Sequence, residues 1–124
     1  MADIIGAMYI FLDTAKASDF ATDNGQMLNL ADTFVSSLKN DMQALQHAMS
    51  ESDTADLQRL LHTLKGYVTF LCNPALANQL IDIETKARQL TADQLKPMVE
   101  NLLPSLSAIQ LELTDWREQL SQKS

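Results

Sequence analysis

The sequence predicts an all-α protein, an up-down-up-down four-helix bundle with an additional short N-terminal helix. Three observations lead there. Apolar residues return at alternating spacings of four and three through four separate stretches. Short polar connections divide those stretches, and connections of that length bring antiparallel helices side by side. Only three glycines and three prolines interrupt the 124 residues, too few for the turns of a β-sandwich or for a disordered linker. The length suits one domain, read as an N-terminal helix and loop over 1–25 and a bundle over 26–121.

At the N-terminus Ile4, Ile5, Met8, Phe11, Leu12 and Ala15 form a helical stripe over residues 2–17, too short to span a bilayer. Asp3 stands where a secretion signal would carry positive charge, so the stretch is not read as a targeting segment. Two roles fit it: a lid over one end of the bundle, or a contact for dimerisation or for anchoring to a sensor protein. Residues 19–25 read as a loop with Asn24-Gly25 as its turn signal.

The first long helix covers about 26–49, with Leu28, Ala31, Val35, Leu38, Met42, Leu45 and Met49 as its seam and Phe34 broadening it. His47 near the C-terminal end is accounted for by the helix dipole. Ser50-Glu51-Ser52-Asp53 makes a polar turn, in which Ser52 or Asp53 caps the next helix. That second helix runs to about Leu71 on a seam of Leu57, Leu61, Leu64, Val68 and Leu71. Asn73 as N-cap and Pro74 at the first helical position open the third, whose seam is Leu76, Leu80, Ile83, Ala87 and Leu90. Thr91 and Gln94 have the spacing of a capping box and start the fourth. Its seam is Leu95, Val99, Leu102, Leu106, Ile109, Leu113, Trp116 and Leu120. Pro97 and Pro104 lie off that seam, where they bend the helix outward; alternatively Pro97 marks a break. Residues 121–124 are expected to fray.

Sixteen acidic against nine basic residues give a formal net charge of −7, which argues against nucleic acid or an anionic membrane surface as partner. A protein partner is the default. The single cysteine, Cys72, excludes an internal disulfide and a cysteine zinc cluster, suits a reducing compartment and hence the cytoplasm, and reads as a small buried hydrophobe. His47 and His62 sit on different helices without an obvious further ligand, so no metal site is expected. The chain has no glycine-rich phosphate loop, so neither ATP binding nor any other cofactor of its own is expected.

The chemistry concentrates in Leu60-Leu61-His62-Thr63-Leu64-Lys65-Gly66. At about 100° per residue, His62 sits roughly 140° from the middle of the apolar stripe, with Gln58, Arg59, Lys65, Gly66 and Thr69 on the same outward half. Lys65 and Gly66 are its neighbours one turn toward the C-terminus. An imidazole, with an ordinary pKa of about 6.5, is substantially neutral and nucleophilic near neutral pH. A phosphoryl group on its nitrogen would carry about two negative charges, which Lys65 is placed to balance. Glycine inside a helix costs on the order of 1 kcal/mol relative to alanine, so Gly66 asks for a reason: either a close helix crossing or access for another protein's reactive group.

At these residues the chain resembles the histidine-containing phosphotransfer (HPt) domains of two-component phosphorelays. His62-x-Leu64-Lys65-Gly66 looks like that family's signature, and the resemblance extends over roughly 26–121. Ile83-Glu84-Thr85-Lys86-Ala87-Arg88 is similar to the family's Leu-Glu-x-x-x-Arg-like stretch, with Glu84 in the place of a Gln or Glu beside the phosphorylated histidine. The resemblance implies that His62 takes a phosphoryl group from one receiver-domain aspartate and passes it to another. It also implies that Lys65 holds the group, Gly66 clears the approach and Glu84 hydrogen-bonds the imidazole. The implied partners are response-regulator receiver domains and a sensor histidine kinase, the Mg²⁺ belongs to the receiver, and a monomer is expected. Where the family usually has small residues and a Leu-Gly turn, this chain has Tyr67, Phe70 and Leu71-Cys72.

For partner binding, Gln58, Arg59, Thr69 and Phe70 are the candidates. Phe70 lies roughly 80° around the helix from His62 and either anchors an interface or tucks under the N-terminal helix. Tyr67 leans to the other flank and is read as packing between helices. Glu84 has a competing reading as a surface acid paired with Arg88. Two other functions are weighed against the carrier: a helical module that sequesters a response regulator without phosphotransfer, and the dimerisation helices of a sensor kinase. In the latter an acid usually follows the histidine, whereas Thr63 follows here.

Overall fold

The computed structural model describes residues 9–123. Four helices succeed one another along the chain: α1 Asn24–Ser50, α2 Thr54–Val68, α3 Pro74–Ala87 and α4 Ala92–Lys123. Each starts on the cap its sequence offers. Asp23 accepts from the Gln26 amide, Asp53 from the Asp56 amide and Asn73 from the Leu76 amide. Thr91 and Gln94 form the reciprocal capping box, with the Thr91 amide 3.0 Å from the Gln94 carboxamide oxygen. Asn24 and Gly25 are therefore the first turn of α1 and not a turn before it. An aspartate one residue upstream satisfies the orphan amides better than a tight turn would.

Between α1 and α2 the chain reverses in a Schellman motif. The Asp53 amide reaches the Ala48 carbonyl and the Ser52 amide the Met49 carbonyl. Ser52 occupies the left-handed position of that motif, with φ of 51°. α2 ends at Val68, earlier than the seam through Leu71 suggests, because Phe70 and Leu71 bond three residues back, to Tyr67 and Val68. α4 runs through Pro97 and Pro104, both exposed on its outer face. The alternative of a break at Pro97 is thereby excluded.

The helices pack in a ring, α1 on α2 and α4, α3 on α2 and α4, and their seams meet in one core. Leu38, Leu45, Leu57, Leu61, Leu64, Leu80, Leu95 and Leu102 are wholly enclosed. Isolated helices of 14 or 15 residues are marginal in water, so α2 and α3 exist because this face is buried, at roughly 1.5–3 kcal/mol for each large apolar side chain. α1 and α4 are about twice as long and continue past the end of α2 and α3 as a pair, tied by an Arg117–Asp32 ion pair. Among the described residues no helix is long and apolar enough to cross a membrane.

The short N-terminal helix is a six-residue 3₁₀ helix, Thr14–Asp19, later than the stripe over 2–17 predicts. Residues 1–8, with Ile4, Ile5 and Met8, lie outside the described residues. The preceding 9–13 are not helical, because their backbone groups bond elsewhere. The Glu112 carboxylate accepts from the amides of Ile10, Phe11 and Leu12 at 2.6, 3.0 and 2.9 Å. Asp13 donates to the Leu71 carbonyl and Asn73 to that of Phe11, both at 2.8 Å. This strap crosses from α4 to the α2–α3 connection, and tertiary hydrogen bonds override local helix preference.

Candidate functional site

The burial pattern of α2 decides where its chemistry points. Leu57, Leu60, Leu61, Leu64 and Val68 are buried, so His62 faces outward with its side chain 70% exposed. α3 lies alongside, anchored by Leu76, Leu80, Ile83 and Ala87. Glu84, next to Ile83 on that helix, turns toward α2 and is the single buried charged residue among those described.

A carboxylate removed from water must be paired and hydrogen-bonded, and Glu84 is. Its Oε1 lies 3.0 Å from His62 Nδ1. The Arg88 guanidinium donates to Oε1 and Oε2 at 3.1 and 3.2 Å, and Lys65 Nζ stands 3.8 Å from Oε2. The His62 hydrogen bond, outweighing desolvation, and then Arg88 and Lys65 hold the Glu84 carboxyl below the usual carboxylate range.

An ionised carboxylate can only accept. In the neutral ring, therefore, Nδ1 carries the proton and donates it to Glu84, and Nε2 keeps its lone pair. The arrangement thus presents a nucleophilic nitrogen on an exposed, oriented imidazole, with Lys65 and Arg88 beside it. This is a patch of positive charge on a protein of net charge −7. No cluster suited to holding a metal occurs among the described residues.

Gly66 completes the face. A methyl group built at its Cα meets nothing within 4 Å, so a close helix crossing is not the reason for this glycine. It stands two residues before the end of α2.

The residues considered for partner binding divide. Arg59 is exposed and folds back on Asp56, 2.6 Å away. The Gln58 side chain donates to the Ala87 carbonyl at 2.7 Å, tying α2 to the end of α3. Thr69 bonds the Lys65 carbonyl at 2.7 Å. Phe70 is 51% exposed and meets Phe20 edge-on, with ring centroids 5.3 Å apart. Tyr67 packs between helices as its position predicts, against Phe34 and with its hydroxyl donating to Asp41 at 2.7 Å. Burial, with that bond to Asp41, pushes its phenol well above the ordinary value.

Of the residues that meet these side chains, sequence reasoning names Arg88 and misses Phe20. Arg88 pairs with Glu84 one turn away on the same helix, as its spacing predicts, and it is Glu84 that reaches His62 and Lys65 on α2. Phe20 falls in a stretch that reads as loop; an aromatic side chain among polar residues was the available signal.

The family described as the Hpt domain matches residues 29–122. Among solved structures, the HPT domain of an Hpt sensor hybrid histidine kinase from Shewanella is similar, with a TM-score of 0.71 and 22% identity, over 87% of this chain and 91% of that one. This likeness shows the shared fold. Comparison with curated proteins gives no match. The family match takes in all of α2 and α3, hence His62, Lys65, Gly66 and Glu84, and the chain therefore belongs to the Hpt domain family, which implies histidine phosphotransfer in a phosphorelay.

Proposed function

We propose that His62 is the phosphoryl carrier, loaded from an aspartyl phosphate of one receiver domain and discharged to the aspartate of another. One observation carries the reading: a buried Glu84 carboxylate fixes Nδ1 of an exposed imidazole and so presents the other nitrogen. In loading, His62 Nε2 bonds to phosphorus as the bond from phosphorus to the aspartyl oxygen breaks. The aspartate leaves as carboxylate, and the ring proton stays on Nδ1. Glu84 offsets the positive charge that the ring acquires, and Lys65 and Arg88 offset the charge of the phosphoryl group. Discharge is the reverse, on a second receiver. The Mg²⁺ of the reaction is the receiver's, neutralising the migrating group. The proposal extends to a monomer working in the cytoplasm, downstream of a sensor histidine kinase.

Intact-mass analysis after mixing with a phosphorylated receiver domain and Mg²⁺ tests it, run beside His62→Gln. The wild type gains one acid-labile phosphoryl group and the variant none, while both keep the same helical circular dichroism. Binding without mass gain would refute the carrier and assign sequestration of the regulator.

A further inference from the structure

Resting on the carrier reading, we infer that Phe20 and Phe70 together form a docking anchor for the receiver domain, and that the N-terminal strap takes part in choosing the partner. Transfer demands that the receiver's reacting phosphorus reach His62 Nε2, so the receiver must sit over this face. A stable interface covers about 800 Å² on each partner, a disc of about 16 Å radius. Phe70 follows His62 by eight residues and stands two beyond the end of α2, so it lies roughly 12 Å further along that axis. It lies toward the rim of that disc, with the Phe20 ring packed against it.

Both rings are about half exposed, 51% for Phe70 and 54% for Phe20, and they stack edge to face at 5.3 Å. They cover each other on one side and present apolar surface on the other. Phe20 does not arrive there by chance. Ala17 and Ala21 on either side are buried, the Phe20 amide bonds the Ala17 carbonyl at 2.9 Å, and the strap before it is fastened to Glu112. An aromatic pair seated on buried neighbours, about a turn and a half along the chain from the cation Lys65, matches what an interface anchor requires. The receiver brings the complementary chemistry, an aspartyl phosphate and the acids that hold its Mg²⁺. Phe20 precedes the region matched by the family, 29–122, so half of the anchor belongs to the part of the chain outside that common core.

The test uses the full chain as wild type, Phe20→Ala, Phe70→Ala and, as a control on the exposed face of α4, Leu111→Ala. Each is loaded in two ways: with phosphoramidate, which needs no docking, and with receiver domains from the same genome charged by acetyl phosphate and Mg²⁺. A binding titration of the same receivers accompanies both. For each Phe variant, the receiver concentration giving half-maximal loading and the Kd rise about tenfold or more. The saturating rate and the phosphoramidate rate stay within about twofold of wild type, and Leu111→Ala behaves as wild type. Unchanged Kd and half-saturation in both Phe variants would overturn the anchor. So would equal loss of phosphoramidate loading, which would make the effect structural. Failure of the wild type to take phosphate from either reagent would sink the carrier reading instead, while the titration would still decide the docking surface.

Discussion

Replacing Gly66 by alanine separates stability from function. In a helix interior alanine is favoured over glycine by about 1 kcal/mol, and less near an end. Gly66 is two residues from the end of α2, its φ is not positive, and nothing lies within 4 Å of the added methyl. Gly66→Ala should therefore stabilise the free protein by roughly 0.5–1 kcal/mol. For a chain of this size that is a rise of about 2–4 °C in Tm, measurable by thermal melting and urea titration followed by circular dichroism. The same methyl group stands about 5–6 Å from the Cβ of His62, on the side from which a partner must close. Loading from a phosphorylated receiver should then slow by about tenfold or more, the effect of roughly 1.4 kcal/mol on the barrier, and fall further in Gly66→Met. Loading from phosphoramidate should hardly change. A lower Tm for Gly66→Ala would show that the glycine serves the fold, and full-speed loading of both variants by a receiver would refute the access argument.

The same geometry predicts other outcomes. Glu84→Gln keeps an acceptor for His62 but loses the charge. Because the Glu84 carboxyl is held low in the folded state, the unfolded chain binds its proton first as pH falls. The stability of wild type relative to this variant should be fully present above the unfolded glutamate pKa of about 4.3 and shrink as pH drops below it, as acid titrations at fixed urea would read. Ser52→Gly should stabilise by about 1 kcal/mol, since the φ of 51° suits glycine, and a loss in Tm would mean that its contacts with Asp93 and Lys96 outweigh the strain. Burial pushes the Cys72 thiol up to about 11 against the opposing pull of Lys16, and the residue has no exposed surface. Thiol reagents at neutral pH should label it only at the rate of unfolding, and prompt labelling of the native protein would contradict this burial.

Most of the architecture was legible in the primary structure, because helices announce themselves locally. The seams through Leu57 and Leu64, Leu80 and Ile83, or Leu102 and Ile109 repeat within a few residues of themselves, and Asp53, Asn73 and Thr91 each cap a helix through bonds that span a single turn. His62 could be placed outward for the same reason: its phase depends only on neighbours along one helix. The path of residues 9–13 could not be read, since their partners Glu112 and Leu71 lie roughly 60 to 100 positions away and no local pattern reports them. The contact of Glu84 with His62 was implied by the family resemblance, but the burial of its carboxylate and its pairing with Lys65 could not be read. An acid beside Ile83 fits a solvated face equally well until α2 is laid against α3. Pairing Phe20 with Phe70 likewise needed the strap in place. Sequence alone determined the helices, their inward faces and the histidine with its Lys-Gly neighbours, because these are periodic and local. Tertiary structure decided which nitrogen of that histidine is free and what surrounds it, because electrostatic and packing contacts between distant segments exist only once the segments meet.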